Sequence, residues 1–154
     1  MNVTKFRELL KENKIPIDRN ARTDMQFTKL MISKYIDFNC QFKKGICRQY
    51  KQTPNKPNRM CCCQNCLTSV GWLKFIHRCD INKYAKSFSI RTGFWRKDKG
   101  CMLPYELRSA VCVFYNCHYE DPIINHGLSY LGYRLKEVEE RDARVIRGTY
   151  ADET

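Results

Sequence analysis

Apolar residues recur at helical spacing in several stretches of the chain. Phe6, Leu9 and Leu10 share one face of residues 3–13, amid Lys, Arg and Glu, which predicts a short amphipathic helix. Ile15-Pro16-Ile17-Asp18 ends it, since proline lacks a donor and clashes with the preceding turn. Thr23 or Asp24 can cap a second helix running to about Phe38. Phe27, Leu30, Met31, Tyr35 and Phe38 stand at three- and four-residue steps as its core face. A helix from Cys62 to about Ile76 would turn Leu67, Val70, Trp72 and Leu73 inward. Another, from Asp80 to Ile90, would be capped by Asp80 and bury Ile81, Tyr84 and Phe88. Pro104 suits the first turn of a short helix through Leu107. Val111 to Tyr115 fit a helical turn or a short strand. The last helix runs from about Asn125 to Arg147, with Leu128, Leu131, Leu135 and Val138 along one side. Glu137, Glu139, Glu140, Arg141 and Arg144 form its solvated face of paired charges. Gly148 to Thr154 read as a frayed tail.

Between these helices, residues 39–59 hold Gly45, Pro54 and Pro57 and read as an irregular loop, long enough to suggest a function. Arg91 to Gly100 is a turn-rich connection with Gly93 and Gly100 as its markers. The pattern predicts little strand. The fold class is mainly α: a small single domain with irregular cysteine-rich metal-binding loops. Residues 60–117 would be a cysteine-cluster core, and residues 1–38 and 125–147 would supply flanking helices.

Length and composition agree with this picture. The 154 residues suit one domain, and 43% hydrophobic content can fill a core. No run of apolar residues is long enough to span a bilayer, and the first residues lack a continuous apolar stretch of signal type. The expectation is therefore no membrane contact and a cytoplasmic setting. There, ten cysteines indicate metal or redox chemistry before a disulfide framework. Three consecutive cysteines are also awkward to pair in disulfide geometry. The isolated Cys40 and Cys79 are equally well read as small buried apolar residues.

The net charge of +12 is uneven. Residues 41–60 carry six basic and no acidic side chains, directly before the first cysteines. Lys43, Lys44, Arg48 and Lys51 in this loop, with Arg108 beyond it, are the candidate anion-binding residues. Positive charge here would favour thiolates, an anionic substrate or a nucleic-acid backbone.

The densest chemistry lies in Cys61-Cys62-Cys63-Gln64-Asn65-Cys66 and in a second patch of Cys101, Cys112 and Cys117. A thiolate is a soft, charged ligand that is costly to bury alone and favourable to bury on zinc or iron. A zinc ion takes four ligands and a [4Fe–4S] cluster about four thiolates, so the two patches can complete either. Cys62, Cys63, Cys66, Cys101, Cys112 and Cys117 are the predicted metal ligands. Cys63 and Cys66 form a C-x2-C unit, whereas the second patch is looser than a zinc-ribbon knuckle. Neighbouring side chains diverge, so at least one of Cys61, Cys62 and Cys63 has another role. Arg108 stands four before Cys112 and on a helix would face the metal. His77, His118 and His126 are weaker ligand candidates. Phe94-Trp95-Arg96-Lys97 mixes aromatic and cationic residues as single-strand binders do, but core packing is the better account of its two rings.

The run Cys61-Cys62-Cys63-x2-Cys66, followed by Gly100-Cys101, Tyr105-Glu106-Leu107-Arg108, Cys112 and Cys117, resembles the cysteine-cluster family of zinc- or iron-chelating domains. That family joins an early run with adjacent cysteines to a later cysteine, a Tyr-Glu-x-Arg-like segment and a further cysteine. This chain has Ser109 where the family usually has proline, and its early run is tighter. The resemblance covers residues 60–117 and implies a zinc or iron site. Some bacterial lysine N-methylases are similar in the same pattern, so the resemblance extends to enzymes without naming a catalytic residue.

Two functions follow as expectations. One is a metal-binding protein that holds an iron–sulfur cluster, [4Fe–4S], or Zn2+ through both cysteine patches, in a redox or catalytic role. The other is a nucleic-acid-binding module with a structural metal, gripping the backbone through the basic loop 41–60.

Overall fold

The structure is a computed structural model that describes residues 1–19, 24–34, 42–43, 46–47, 69–96, 99–110, 112 and 122–152. Its elements in chain order are α1 (Val3–Glu12), β1 (Ile17–Asp18), α2 (Asp24–Ser33), β2 (Phe42–Lys43), β3 (Ile46–Cys47), β4 (Ile76–His77), α3 (Ile81–Ser87), β5 (Trp95–Arg96), β6 (Gly100–Cys101) and α4 (Pro122–Asp152). Two 3-10 turns, Arg78–Asp80 and Tyr105–Leu107, complete it. The described residues are mainly α.

Asn2 starts α1 by accepting the Lys5 N–H on its side chain at 2.9 Å. Phe6 and Leu10, one turn apart, are both fully buried, as the periodicity predicts. They enter a first core built around Phe94, which is 0% exposed. Four rings surround Phe94 edge-on or nearly so: Phe88 at 5.0 Å, Trp72 at 5.8 Å, Tyr84 at 5.9 Å and Phe6 at 6.3 Å between centroids. Tilted and T-shaped pairs satisfy the ring quadrupoles while excluding water. Ile81, Tyr84 and Phe88 of the α3 segment are buried as expected. Phe94 and Trp95 are core residues, in line with the packing account of that segment.

Short strands join the helices. β1 and β4 pair in parallel, Ile17 with Ile76 and Asp18 with His77. β5 and β6 pair antiparallel, with Gly93 at φ 63° and Gly100 at φ 80°, a backbone region that glycine enters without steric cost. β2 and β3 pair antiparallel, Lys43 with Ile46. The irregular loop expected at 39–59 therefore contains a hairpin, and its other residues lie outside the described ones. Phe42 and Ile46 are strand formers, and only two residues separate the strands.

Three further expectations are corrected. Residues 69–75 are bends and turns, not the second half of a helix from Cys62; residues 61–68 lie outside the described ones. A tight turn forms instead as Leu73 N–H donates to Val70 O, and the Ile76 N–H is drawn to Pro16 O at 3.0 Å. The last helix begins at Pro122 and continues through Asp152, so Gly148 to Asp152 are helical, not frayed. It buries Leu128, Leu135, Ala143 and Ile146 in a second core with Phe75, Tyr105 and Ala110. Leu131 and Val138 are partly buried against that core.

The third correction concerns α2. Met31 is 51% exposed, while Gln26 and Lys29 are buried at 5% and 3%. The helix packs on the Tyr105–Leu107 turn, where Ile32 meets the second core and two polar side chains of α2 find buried partners. Gln26 Nε2 donates to the fully buried Asp80 carboxylate at 3.3 Å, and Lys29 Nζ donates to Arg108 O. Buried polar groups need partners more than they need apolar neighbours. Asp80, predicted as a helix cap, makes no side-chain cap bond and accepts from Gln26 instead.

Candidate functional site

The described part of the site is a polar seam where α2, the Tyr105–Leu107 turn and α4 meet. Its centre is Lys29. Burial pushes the Lys29 ammonium below the usual lysine range, while Glu139, Cys112 and Glu106 pull it back up by their charge. Glu139 comes from α4, on the face expected to be solvated, yet it is half-buried. Burial raises its carboxyl above the usual range, opposed by Lys29, by the Ala110 N–H that it accepts and by Lys74. Lys29, Gln26, Glu106 and Glu139 share a small cavity of about 30 Å³, enough for ordered water and no larger ligand.

Cys112 sits at the edge of this seam. It is half-buried against the second core, and its N–H donates to Ser109 O at 3.0 Å. The Tyr105 hydroxyl is pushed up first by burial and then by Cys112, with Arg108 opposing. Tyr105 thus stands in the field of both Cys112 and Arg108. Lys29 and Cys112 lie within electrostatic reach of each other.

Arg108 is buried at 9% and its Nε donates to Leu103 O at 2.9 Å. It leaves the 3-10 turn with extended backbone, φ −74° and ψ 159°, so the helical four-residue relation to Cys112 is absent. Cys101 is 8% exposed, in β6, within the first core alongside Phe94 and Leu103. Cys62, Cys63, Cys66 and Cys117 lie outside the described residues, as do Lys44, Arg48 and Lys51. Lys43 is described only as a strand position in β2. The structure therefore brings Cys112 and Arg108 to the polar seam through Tyr105 and places Cys101 in a different core. Among the described residues, no group of three or more His, Cys, Asp and Glu side chains is arranged to hold a metal.

The other candidates divide. His77 is fully buried, with Nδ1 3.0 Å from Asp18 Oδ2 and Phe75 edge-on at 5.3 Å, so it is committed to the β1–β4 pair. His126 is exposed, and His118 and Cys40 lie outside the described residues. Cys79 is exposed, which overturns its reading as a small buried residue. None of Cys79, Cys101 and Cys112 is in a disulfide.

Lys29 and Glu139 were not identifiable as site residues from sequence. Each falls at a polar position of an ordinary helix, and only the partner surface reveals its burial. Compared with protein-family models, with curated proteins and with solved structures, the chain matches none. Among the described residues, no helix is long and apolar enough to cross a membrane.

Proposed function

We propose that the protein is a metal-binding protein that holds an iron–sulfur cluster or zinc through cysteines from both patches, in a reducing, cytoplasmic setting. The observation that carries this reading is the pair of cysteine patches, Cys61 to Cys66 and Cys101 to Cys117. Thiolates at that density are otherwise costly to keep together. The surroundings of Cys112 fit a ligand. Cys112 is half-buried, out of a disulfide and within electrostatic reach of Lys29, and positive charge favours a thiolate. Cys101 fits less well, because its neighbours in the first core are apolar. Cys62, Cys63, Cys66, Cys112 and Cys117 are therefore the leading ligands, with Cys101 behind them. The bound metal would supply redox capacity or Lewis acidity, and the basic loop 41–60 would hold an anionic substrate beside it.

The test is metal stoichiometry in single Cys→Ser variants of the anaerobically purified chain. Cys112→Ser and Cys66→Ser should each lose most of the metal, and Cys79→Ser should keep it. Full metal content in Cys66→Ser and Cys112→Ser would contradict the reading.

A further inference from the structure

The structure contains a second cationic site, well away in sequence from the basic loop. Arg7 and Lys11 of α1, Arg19 after β1 and Arg78 after β4 line one pocket of about 580 Å³, with Ile15 and Ile17 as the remaining lining. The placement follows from local geometry. Phe6 and Leu10 face the core, and Arg7 and Lys11, each one residue on and so about 100° round the helix, stay exposed side by side. Side chains alternate along a strand. Asp18 therefore points to His77, on the other side from Ile17 and Arg19. The parallel register of β1 and β4 ends at Asp18 and His77, and the next residues of both strands are the arginines Arg19 and Arg78.

Four cations thus converge from three segments, and among the described residues none has a carboxylate within ion-pair distance. Glu8 and Glu12 of α1 are not in the pocket lining. Uncompensated like charges around one concavity repel, and an anion there relieves the repulsion. Three of the four are guanidinium forks, which match phosphoryl oxygens bidentately. The volume lies in the range of small-molecule sites, and the two isoleucines offer an apolar wall to an organic body. A nucleic-acid backbone would call for a stripe of cations rather than one pocket.

We propose that this pocket binds a compact organic polyphosphate, of the class of a nucleoside di- or triphosphate. The proposal is independent of the metal reading. It is tested by calorimetric titration of the full chain with ATP as the probe, in wild type, in Arg19→Ala/Arg78→Ala and in Lys86→Gln/Lys136→Gln, two exposed lysines outside both basic regions. Wild type should bind one ATP per chain. The arginine variant should bind at least about tenfold more weakly, since two charge-assisted contacts are lost, and the lysine variant should match wild type. ATP should also raise the thermal midpoint of wild type and not that of the arginine variant. Without ligand the arginine variant should melt no lower than wild type, because both arginines are exposed, make no ion pair with the described residues and stand among like charges. The proposal is overturned by absence of saturable binding, by equal affinity in the arginine variant, or by a single-stranded 20-mer that binds while ATP fails to compete.

Discussion

Lys29→Met probes the polar seam most sharply. Lys29 is 3% exposed and its Nζ donates to the Arg108 carbonyl. Methionine keeps the length of the side chain and removes both the donor and the charge. The orphaned carbonyl costs about 1–3 kcal/mol. Glu139 also loses its principal counter-charge, and deleting one member of a fully buried pair costs about 3–5 kcal/mol. Glu139 is only half-buried, so the lower part of that range applies, and methionine no longer has an ammonium to desolvate. The net expectation is a loss of roughly 2–4 kcal/mol at neutral pH. Below the usual carboxyl value of 4.5 Glu139 is protonated, and the loss should shrink toward that of the carbonyl alone. Urea denaturation followed by circular dichroism, on wild type, Lys29→Met, Glu139→Gln and the double variant, reads this directly. The double variant should be less destabilised than the sum of the singles by about 1 kcal/mol or more. An unchanged midpoint in Lys29→Met, or strict additivity of the two singles, would refute the seam as a coupled unit.

Two further predictions rest on single residues. The Glu139 carboxyl is raised in the folded chain, so the folded state holds its proton more tightly than the unfolded state. Its stabilisation is fully present below 4.5 and is lost as pH rises through the folded value. Glu139→Gln should flatten that fall in a pH series of denaturation midpoints, and an unchanged slope would contradict the assignment. Phe94→Ala should cost about 3–5 kcal/mol, because Phe94 is 0% exposed and contacts four rings. A loss under about 1 kcal/mol in the same assay would show that the first core is not built around it.

What could be read from the sequence was what local rules decide. The Phe6 and Leu10 spacing of α1 and the Ile81, Tyr84 and Phe88 face of α3 rest on periodicity within one segment, and the structure buries these residues. Elements set by distant partners were not readable. Lys29 is buried by a carbonyl 79 residues away and Gln26 by a carboxylate 54 residues away. The apolar pattern of α2 therefore pointed to the wrong face at Met31. Residues 69–75 contain good helix formers, but Gly71 and the attachment of Ile76 to Pro16 O hold them in turns. Two-residue strands such as β1 and β4 are too short for any alternation to declare itself. The candidate chemistry divides the same way. The cysteine patches are visible in the sequence itself, and the proposal of a metal rests on them. The seam beside Cys112 and the pocket of Arg7, Lys11, Arg19 and Arg78 exist only once the chain has folded.

The central claim is a metal held by the two cysteine patches. Elemental analysis of the anaerobically purified chain, with its visible absorption spectrum, tests it most directly. The account predicts either a brown protein with about four irons per chain or a colourless one with about one zinc. A chain that purifies with neither metal, binds neither on reconstitution, and titrates with ten reactive thiols would contradict it.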